Sequence, residues 1–146
     1  MMLAGGNFRI SRNAVKGVSL RGERLKRDGR KEWRQWNPRS SKLGSGLLRA
    51  SEEGLLPAEG ATCLYLGAGH GTSISHLHDH VCGAKNHLGG SIIAVDISAR
   101  CLRDLITLSR ARPGILPKAP DGGQQVMGPR GNKPGNKPGA RSRDEG

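Results

Sequence analysis

Three glycines at alternate positions separate a short apolar run from a segment that can form a helix. Gly67, Gly69 and Gly71 follow the apolar residues 63–66, and a second apolar run ends at Asp96. Glycine permits positive φ and lets the backbone approach a ligand closely, and the N-terminus of the following helix offers free N–H groups. The carboxylate after the next strand can accept hydrogen bonds from ribose hydroxyls. This order of elements therefore predicts a βαβ unit that binds an adenosine-containing cofactor.

The spacing of the glycines does not decide which cofactor this is. A dinucleotide fingerprint reads G-x-G-x-x-G, with the third glycine inside the helix. Here the pattern is G-x-G-x-G, the looser form that is typical of methyltransferases. NAD, FAD and S-adenosylmethionine remain open from the pattern alone, and so does a turn whose glycines bind nothing.

A second chemical group precedes this unit in a segment that can form a helix. Asn37 is a good N-cap and Pro38 suits the first helical position, so we expect a helix that begins there and ends near residues 53–54. Lys42 lies beside the apolar stripe of this helix, where its ammonium could point into a cleft. The alternative is an ordinary solvated cation.

The segment before that helix mixes cations with apolar residues. Asp28-Gly29 is a hairpin-turn dipeptide, which predicts a two-stranded ribbon that turns at residues 27–30. Because a lone ribbon is marginal in water, it should pack on the main sheet or on RNA. Its cations could form a phosphate-binding face or only a solvated surface, and residues 1–11 carry little signal.

The overall charge favours a polyanionic partner. The chain has 146 residues, a formal net charge of +12 and a hydrophobic content of 34%, so the core should be small for the length. Lys and Arg bind phosphate backbones by displacing counterions, so RNA, DNA and an acidic membrane all fit. Residues 122–146 combine Gly, Pro and charge without an apolar period, and we expect a disordered basic tail.

Hydropathy and cysteine usage indicate an intracellular protein. No stretch of eighteen apolar residues occurs, and the apolar start of the chain is too short for the core of a signal peptide. Cys63, Cys82 and Cys101 are odd in number and widely spaced, which suits reduced thiols that pack in the interior. We therefore expect a soluble protein with no membrane partner.

A cluster of histidines on the helix after the glycines raises the question of a metal. His76, His78 and His80 with Cys82 could suggest zinc, because His76 and His80 share one helix face. No further Cys or His pair completes a tetrahedral site, so we expect none.

Several of these segments together resemble the fibrillarin family. Residues 36–43 (WNPRSSKL) are similar to its WNPxRSKL signature, residues 64–76 (LYLGAGHGTSISH) to its LYLGAASGTTVSH loop, and residues 93–98 (IAVDIS) to its YAVEFS segment. The resemblance covers about residues 11–117, and its motifs occur in the family's order.

The resemblance implies a fold and a division of the chain. The fold class is α/β, a partial Rossmann-like class I methyltransferase sheet with an N-terminal β-ribbon. Residues 1–36 would be the remnant of a small N-terminal β domain, residues 37–121 a partial methyltransferase domain and residues 122–146 the tail. In a strand order of 3-2-1-4-5-7-6 only strands one to three would be present, which leaves residues 64–66 on an open edge. We expect such a truncated half-domain to have low stability and impaired activity.

The resemblance also implies an activity. Family members use S-adenosyl-L-methionine to methylate ribose 2′-hydroxyls of rRNA and tRNA. A box C/D guide RNA selects the site, and a scaffold protein related to Nop56 and Nop58 docks the enzyme. For an archaeal member the location would be the cytoplasm. The alternative is a noncatalytic basic remnant that only binds RNA.

The family's site residues can be placed by their matching positions. The cofactor-binding residues would be Gly67, Ala68, Gly71, Thr72 and Ser73 on the methionine side, with Asp96 and Ile97 on the ribose and adenine side. Lys42 matches the first Lys of the family's Lys-Asp-Lys-His catalytic set. Two departures are His70 in the glycine loop and Asp96, which stands where the family usually has Glu.

Overall fold

The structure, a computed structural model, describes residues 2–4, 8–49 and 56–120. These residues form two sheets, three α-helices and one turn of 3-10 helix at Ala84–Asn86. The first sheet is antiparallel in the order β1-β2-β4-β3, and its strands are β1 (Met2–Ala4), β2 (Phe8–Arg12), β3 (Leu25–Asp28) and β4 (Lys31–Trp36). The expected tail and the expected end of the first helix lie outside the described residues.

The predicted hairpin is confirmed, and its two strands belong to a larger sheet that the sequence did not predict. Asp28 pairs with Lys31 across a two-residue turn in which Gly29 has a φ of 59°. Strand β2 then pairs with the other side of β4. Its buried positions include Arg9 and Ser11, which are polar, so no alternation of apolar residues marks it in the sequence.

The second sheet is parallel and has the strand order β5-β6-β7. Its strands are β5 (Thr62–Leu66), β6 (Ser91–Val95) and β7 (Ile115–Lys118), and they are connected by α2 (Thr72–Val81) and α3 (Ala99–Ala111). Buried side chains of both helices pack with Ile92, Ala94 and Ile115 into one core. This arrangement confirms the predicted βαβ unit and the order of the first three strands.

Strand β5 is the edge of this sheet. The side chains of Leu64 and Leu66 point to the same face of the sheet and are 63% and 70% exposed. In the part of the chain that the structure describes, no helix is both long and apolar enough to cross a bilayer.

The first helix begins later than the sequence predicts. Helix α1 spans Lys42–Arg49, so the predicted start at Asn37 and Pro38 is wrong. The Asn37 Oδ1 atom accepts a hydrogen bond from the Arg39 N–H at 2.9 Å, which closes a local turn instead of capping a helix. Ser41 provides the cap, since its Oγ accepts from the Gly44 N–H at 3.1 Å.

A buried ionic network joins the two sheets. Arg34 of β4 is fully buried, and its Nε lies 3.0 Å from Oδ2 of Asp79 on α2. Its other guanidinium nitrogens bind Glu23 and Ser75, and Arg112 after α3 binds the second oxygen of Asp79. Arg34 is therefore neither a phosphate-binding nor a solvated cation, which corrects both expectations for this residue.

Candidate functional site

A cleft of about 390 Å³ opens where β5 ends and α2 begins. The glycine loop forms one wall, and the segment that leads into α1 forms the other. Five of the eight predicted site residues line this cleft, namely Lys42, Gly67, Ala68, Thr72 and Ser73. The structure therefore brings Lys42, at the start of α1, next to residues of the glycine loop that follow β5.

The glycine loop presents bare peptide groups to the cleft. Gly67 and Gly69 have φ values of 67° and 61°, and a Cβ atom at either position would meet no other atom within 4 Å. Gly71 differs, because a Cβ there would lie 2.7 Å from Leu108 Cδ2 on α3. Gly71 thus lets α2 begin in close contact with α3, and it does not line the cleft.

Asp96 leaves β6 and turns towards the same loop. Its Oδ1 accepts from the Ser98 N–H at 2.8 Å, and its Oδ2 accepts from the Gly69 N–H at 2.9 Å. These two backbone hydrogen bonds lower the pKa of Asp96, so the carboxylate is ionised at neutral pH. Neighbouring Ile97 is 86% exposed and offers an apolar surface beside an anionic acceptor.

Two hydroxyls hold Lys42 next to the glycine loop. Ser41 accepts a hydrogen bond from Trp36 Nε1 at 2.9 Å, and its Oγ lies 2.6 Å from Ser73 Oγ at the start of α2. Because Lys42 follows Ser41 directly, these contacts position its backbone at the cleft, and its exposed side chain lines the cleft. No pattern in the sequence marks Ser41 as a positioning residue, although it lies within the WNPRSSKL segment.

Two further side chains that were not predicted as site residues, those of Arg21 and His70, also line the cleft. Arg21 lines the cleft, and its backbone N–H donates to Glu23 at 2.7 Å. His70 also lines the cleft, and its Nδ1 lies 2.5 Å from Oδ2 of Asp104 on α3. The departure at His70 from the family's loop was the signal that could have identified it.

An open groove next to the cleft is lined by cations. It encloses about 570 Å³ and shares Ser40 and Lys42 with the cleft, while Arg39 and Arg49 extend it along α1. Three basic side chains along an open path can bind a chain of phosphates.

The histidines of α2 contact separate partners. His76 stacks on Trp36 at 4.7 Å and contacts Ser11, whereas Nε2 of His78 and of His80 lies near backbone carbonyls. Burial first, and then Arg34 and Arg112, lowers the pKa of His76 to about 2. Across residues 2–4, 8–49 and 56–120, no three His, Cys, Asp or Glu side chains form a group that could bind a metal.

Comparison of the sequence with known proteins agrees with this geometry. The model of the fibrillarin family matches residues 3–124. The fibrillarin-like rRNA/tRNA 2′-O-methyltransferase of Saccharolobus islandicus is 37% identical over 117 residues, which cover 80% of this chain and 48% of that protein. The rRNA 2′-O-methyltransferase fibrillarin of Encephalitozoon cuniculi is 41% identical over 112 residues, which cover 74% of this chain and 36% of that protein. The chain thus spans about half the length, or less, of these relatives.

Solved structures show the same fold. The Aeropyrum pernix fibrillarin in complex with natively bound S-adenosyl-L-methionine matches with a TM-score of 0.66 and 37% identity, over 75% of this chain and 45% of that one. A chain of a fibrillarin/Nop5p complex matches with a TM-score of 0.57 and 36% identity, over 73% of this chain and 46% of that one. These matches confirm the predicted α/β methyltransferase fold, and the chain belongs to the fibrillarin family.

Proposed function

We propose that this chain carries the cofactor site of an S-adenosyl-L-methionine-dependent RNA 2′-O-methyltransferase. The observation that supports this most directly is the cleft itself, in which Lys42 faces the glycine loop next to an ionised Asp96. The Aeropyrum pernix relative of the same fold holds S-adenosyl-L-methionine. NAD and FAD, which the glycine spacing left open, have no comparable support.

The residues present suit each part of this cofactor. Asp96 would accept hydrogen bonds from the ribose hydroxyls, and Ile97 would pack on the adenine ring. Gly67 and Ala68 would lie along the methionine part, because Gly67 has no side chain that would keep the cofactor away from the backbone. Thr72 and Ser73, at the N-terminus of α2, would face the methionine carboxylate, where helix N–H groups favour an anion. Gly71 would act indirectly, by allowing the loop to pack against α3.

Lys42 is the proposed catalytic residue. The cofactor would supply an electrophilic methyl group on a positively charged sulfur. The role of the chain is then to bring the ribose oxygen close to that methyl group and to favour loss of its proton. The Lys42 ammonium would hold the 2′-oxygen and stabilise the negative charge that develops on it.

The basic groove suggests where the RNA lies. Arg39, before α1, and Arg49, at its end, line the groove together with Lys42, so an RNA strand bound there would present one ribose to the cleft. We include rRNA and tRNA as targets because the relative from Saccharolobus islandicus is named for both. The proposed partners are a box C/D guide RNA and a scaffold protein related to Nop56 and Nop58. The fibrillarin/Nop5p complex supports the scaffold protein. The proposed location is the cytoplasm of an archaeal cell.

Calorimetric titration with S-adenosyl-L-methionine tests the cofactor site. We expect saturable heat for the unmodified chain and its loss in Asp96→Ala, because the ribose hydroxyls lose their acceptor. Lys42→Ala is the matched control, and it should keep the binding because its ammonium faces the ribose of the RNA. An absence of heat with the unmodified chain would refute the proposal, and so would equal binding by Asp96→Ala.

Methyl transfer tests the role of Lys42. In a complex reconstituted with scaffold protein and guide RNA, Lys42→Ala should lower turnover by about a hundredfold, while Arg49→Ala should mainly weaken RNA binding. Equal turnover with and without the Lys42 side chain would show that another group promotes the proton loss.

A further inference from the structure

Cys101, His70 and Asp104 form a chain of interacting side chains beside the cofactor cleft. The Cys101 Sγ lies 3.8 Å from His70 Nε2, and His70 Nδ1 lies 2.5 Å from Asp104 Oδ2. The residues are 31 and 34 positions apart in the chain, so no sequence pattern announces them. All three are at least partly exposed to solvent. An external reagent can therefore reach them.

The order of the contacts fixes the role of each group. A carboxylate only accepts hydrogen bonds, so Asp104 selects the tautomer of His70 that carries its proton on Nδ1. The lone pair on Nε2 then faces the thiol. A nucleophile next to a base that is itself oriented by a carboxylate is the arrangement that activates thiols and hydroxyls in covalent catalysis.

We propose that Cys101 is a base-activated nucleophile and the site at which this chain is modified by soft electrophiles and small disulfides. His70 Nε2 accepts the thiol proton while the sulfur attacks. With a small disulfide, a new bond forms between Cys101 Sγ and one sulfur of the reagent, and the S–S bond of the reagent breaks. The departing thiolate takes the proton from His70. Cys101 is oxidised and the departing sulfur is reduced, so the exchange needs no further oxidant.

The other two cysteines provide internal controls. Cys82 is fully buried, and burial first, and then Cys63, raises the pKa of its thiol to about 11. Burial also raises the pKa of Cys63, which packs against the core. The expectation of thiols that pack in the interior therefore holds for Cys63 and Cys82, whereas the Cys101 sulfur lies beside His70.

A group attached to Cys101 would lie beside the proposed ribose site. Cys101 lies close to Asp96, because the Ser98 N–H donates to Asp96 at 2.8 Å and the Ser98 Oγ accepts from the Cys101 N–H at 3.4 Å. Modification should therefore block the adenosine side of the cleft, and bound cofactor should shield the thiol. This second consequence rests on the proposed function, whereas the reactivity of the thiol does not.

Labelling kinetics test the reactivity in the absence of cofactor. The native full chain is treated with iodoacetamide, and alkylation of each cysteine is followed by peptide mass spectrometry. We expect Cys101 to react about tenfold faster than N-acetylcysteine, with Cys63 and Cys82 slower than that reference. Glutathione disulfide should give a mixed disulfide at Cys101 first.

Variants separate base assistance from simple exposure. Gln at position 70 can accept a hydrogen bond but cannot take up a proton, so His70→Gln should return Cys101 to about the reference rate. The matched control is His87→Gln, which changes an exposed histidine elsewhere and should have no effect. A Cys101 rate no higher than that of N-acetylcysteine, or one unchanged by His70→Gln, would overturn the proposal.

Protection by the cofactor is measured separately. If calorimetry shows that S-adenosyl-L-methionine binds, saturating cofactor should slow Cys101 labelling, and prior modification should abolish the binding heat. Binding without protection would overturn the placement of Cys101 beside the ribose. An absence of binding heat would count against the proposed function and would leave the measured thiol reactivity as the test of the nucleophile.

Discussion

Replacement of His76 by phenylalanine should remove a defined part of the acid sensitivity of this chain. The imidazole of His76 is buried, stacked on Trp36 with an interplanar angle of 8°, and close to two arginines. Burial first, and then the charges of Arg34 and Arg112, lowers the pKa of His76 from 6.5 to about 2. The ring is therefore neutral in the folded chain over a pH range in which it is protonated in the unfolded chain.

The sign and the size of the effect follow from this difference. Between pH values near 6.5 and 2 the unfolded chain binds more protons at His76, so stability falls as the pH is lowered through 6.5. From about pH 7.5 to about pH 5 this linkage removes about 2 kcal/mol from the free energy of unfolding. Other groups whose pKa is lowered by folding, such as His78 and Glu23, add to the loss of stability at low pH. These groups are present both in the unmodified chain and in His76→Phe, so their contribution cancels in the comparison.

Urea denaturation at both pH values isolates the contribution of His76. Phenylalanine keeps the stack on Trp36 but cannot be protonated, and its larger ring costs about 1–3 kcal/mol at either pH. The loss of stability between the two pH values should be smaller in His76→Phe than in the unmodified chain by about 2 kcal/mol. His87→Phe, at an exposed position, should retain the loss seen in the unmodified chain. Equal losses in the unmodified chain and in His76→Phe would refute this reasoning.

Three further substitutions test the architecture. Asp79→Asn should lower the free energy of unfolding by about 3–5 kcal/mol in urea denaturation, because it leaves the buried Arg112 without its carboxylate and Arg34 with Glu23 as its remaining ionic partner. Asp104→Asn, at an exposed position, should lower it by less than about 1 kcal/mol, and equal losses would refute the network. Gly71→Ala should lower the free energy of unfolding more than Gly67→Ala does. Both positions have positive φ, but only the methyl group at position 71 would contact α3, and the reverse order would contradict this packing. Leu66→Lys should reduce self-association in analytical ultracentrifugation without loss of stability, because it places a charge on an open sheet edge, and unchanged association would exclude that edge as the contact.

The sequence revealed those parts of the site whose signals are local. The glycine loop and Asp96 follow apolar runs, so the chemistry of the βαβ unit could be read from neighbouring residues. Lys42 was predicted to be a site residue from a motif. Its placement depends on the contact between Ser41 and Ser73, which no local pattern encodes.

The features that the sequence did not reveal depend on distant side chains or on buried polar groups. Arg34 looks like a surface cation in a basic segment, and only its contact with Asp79 explains its burial. Strand β2 was missed because polar residues occupy its inward positions. Asn37 was misread as a cap because its side chain closes a turn of its own, and a capping preference does not distinguish the two outcomes.

The position of Asp79 between two guanidinium groups has a consequence for how this protein can be recombined. Its carboxylate on α2 is bound by Arg34 from the antiparallel sheet and by Arg112 from the segment before β7. A chimaera that takes its first sheet from a homologue without an arginine at position 34 would leave the buried Asp79 with Arg112 as the one remaining guanidinium of this trio. Such hybrids should be poorly expressed unless positions 34 and 79 are exchanged together, and intact chains should melt in one cooperative step.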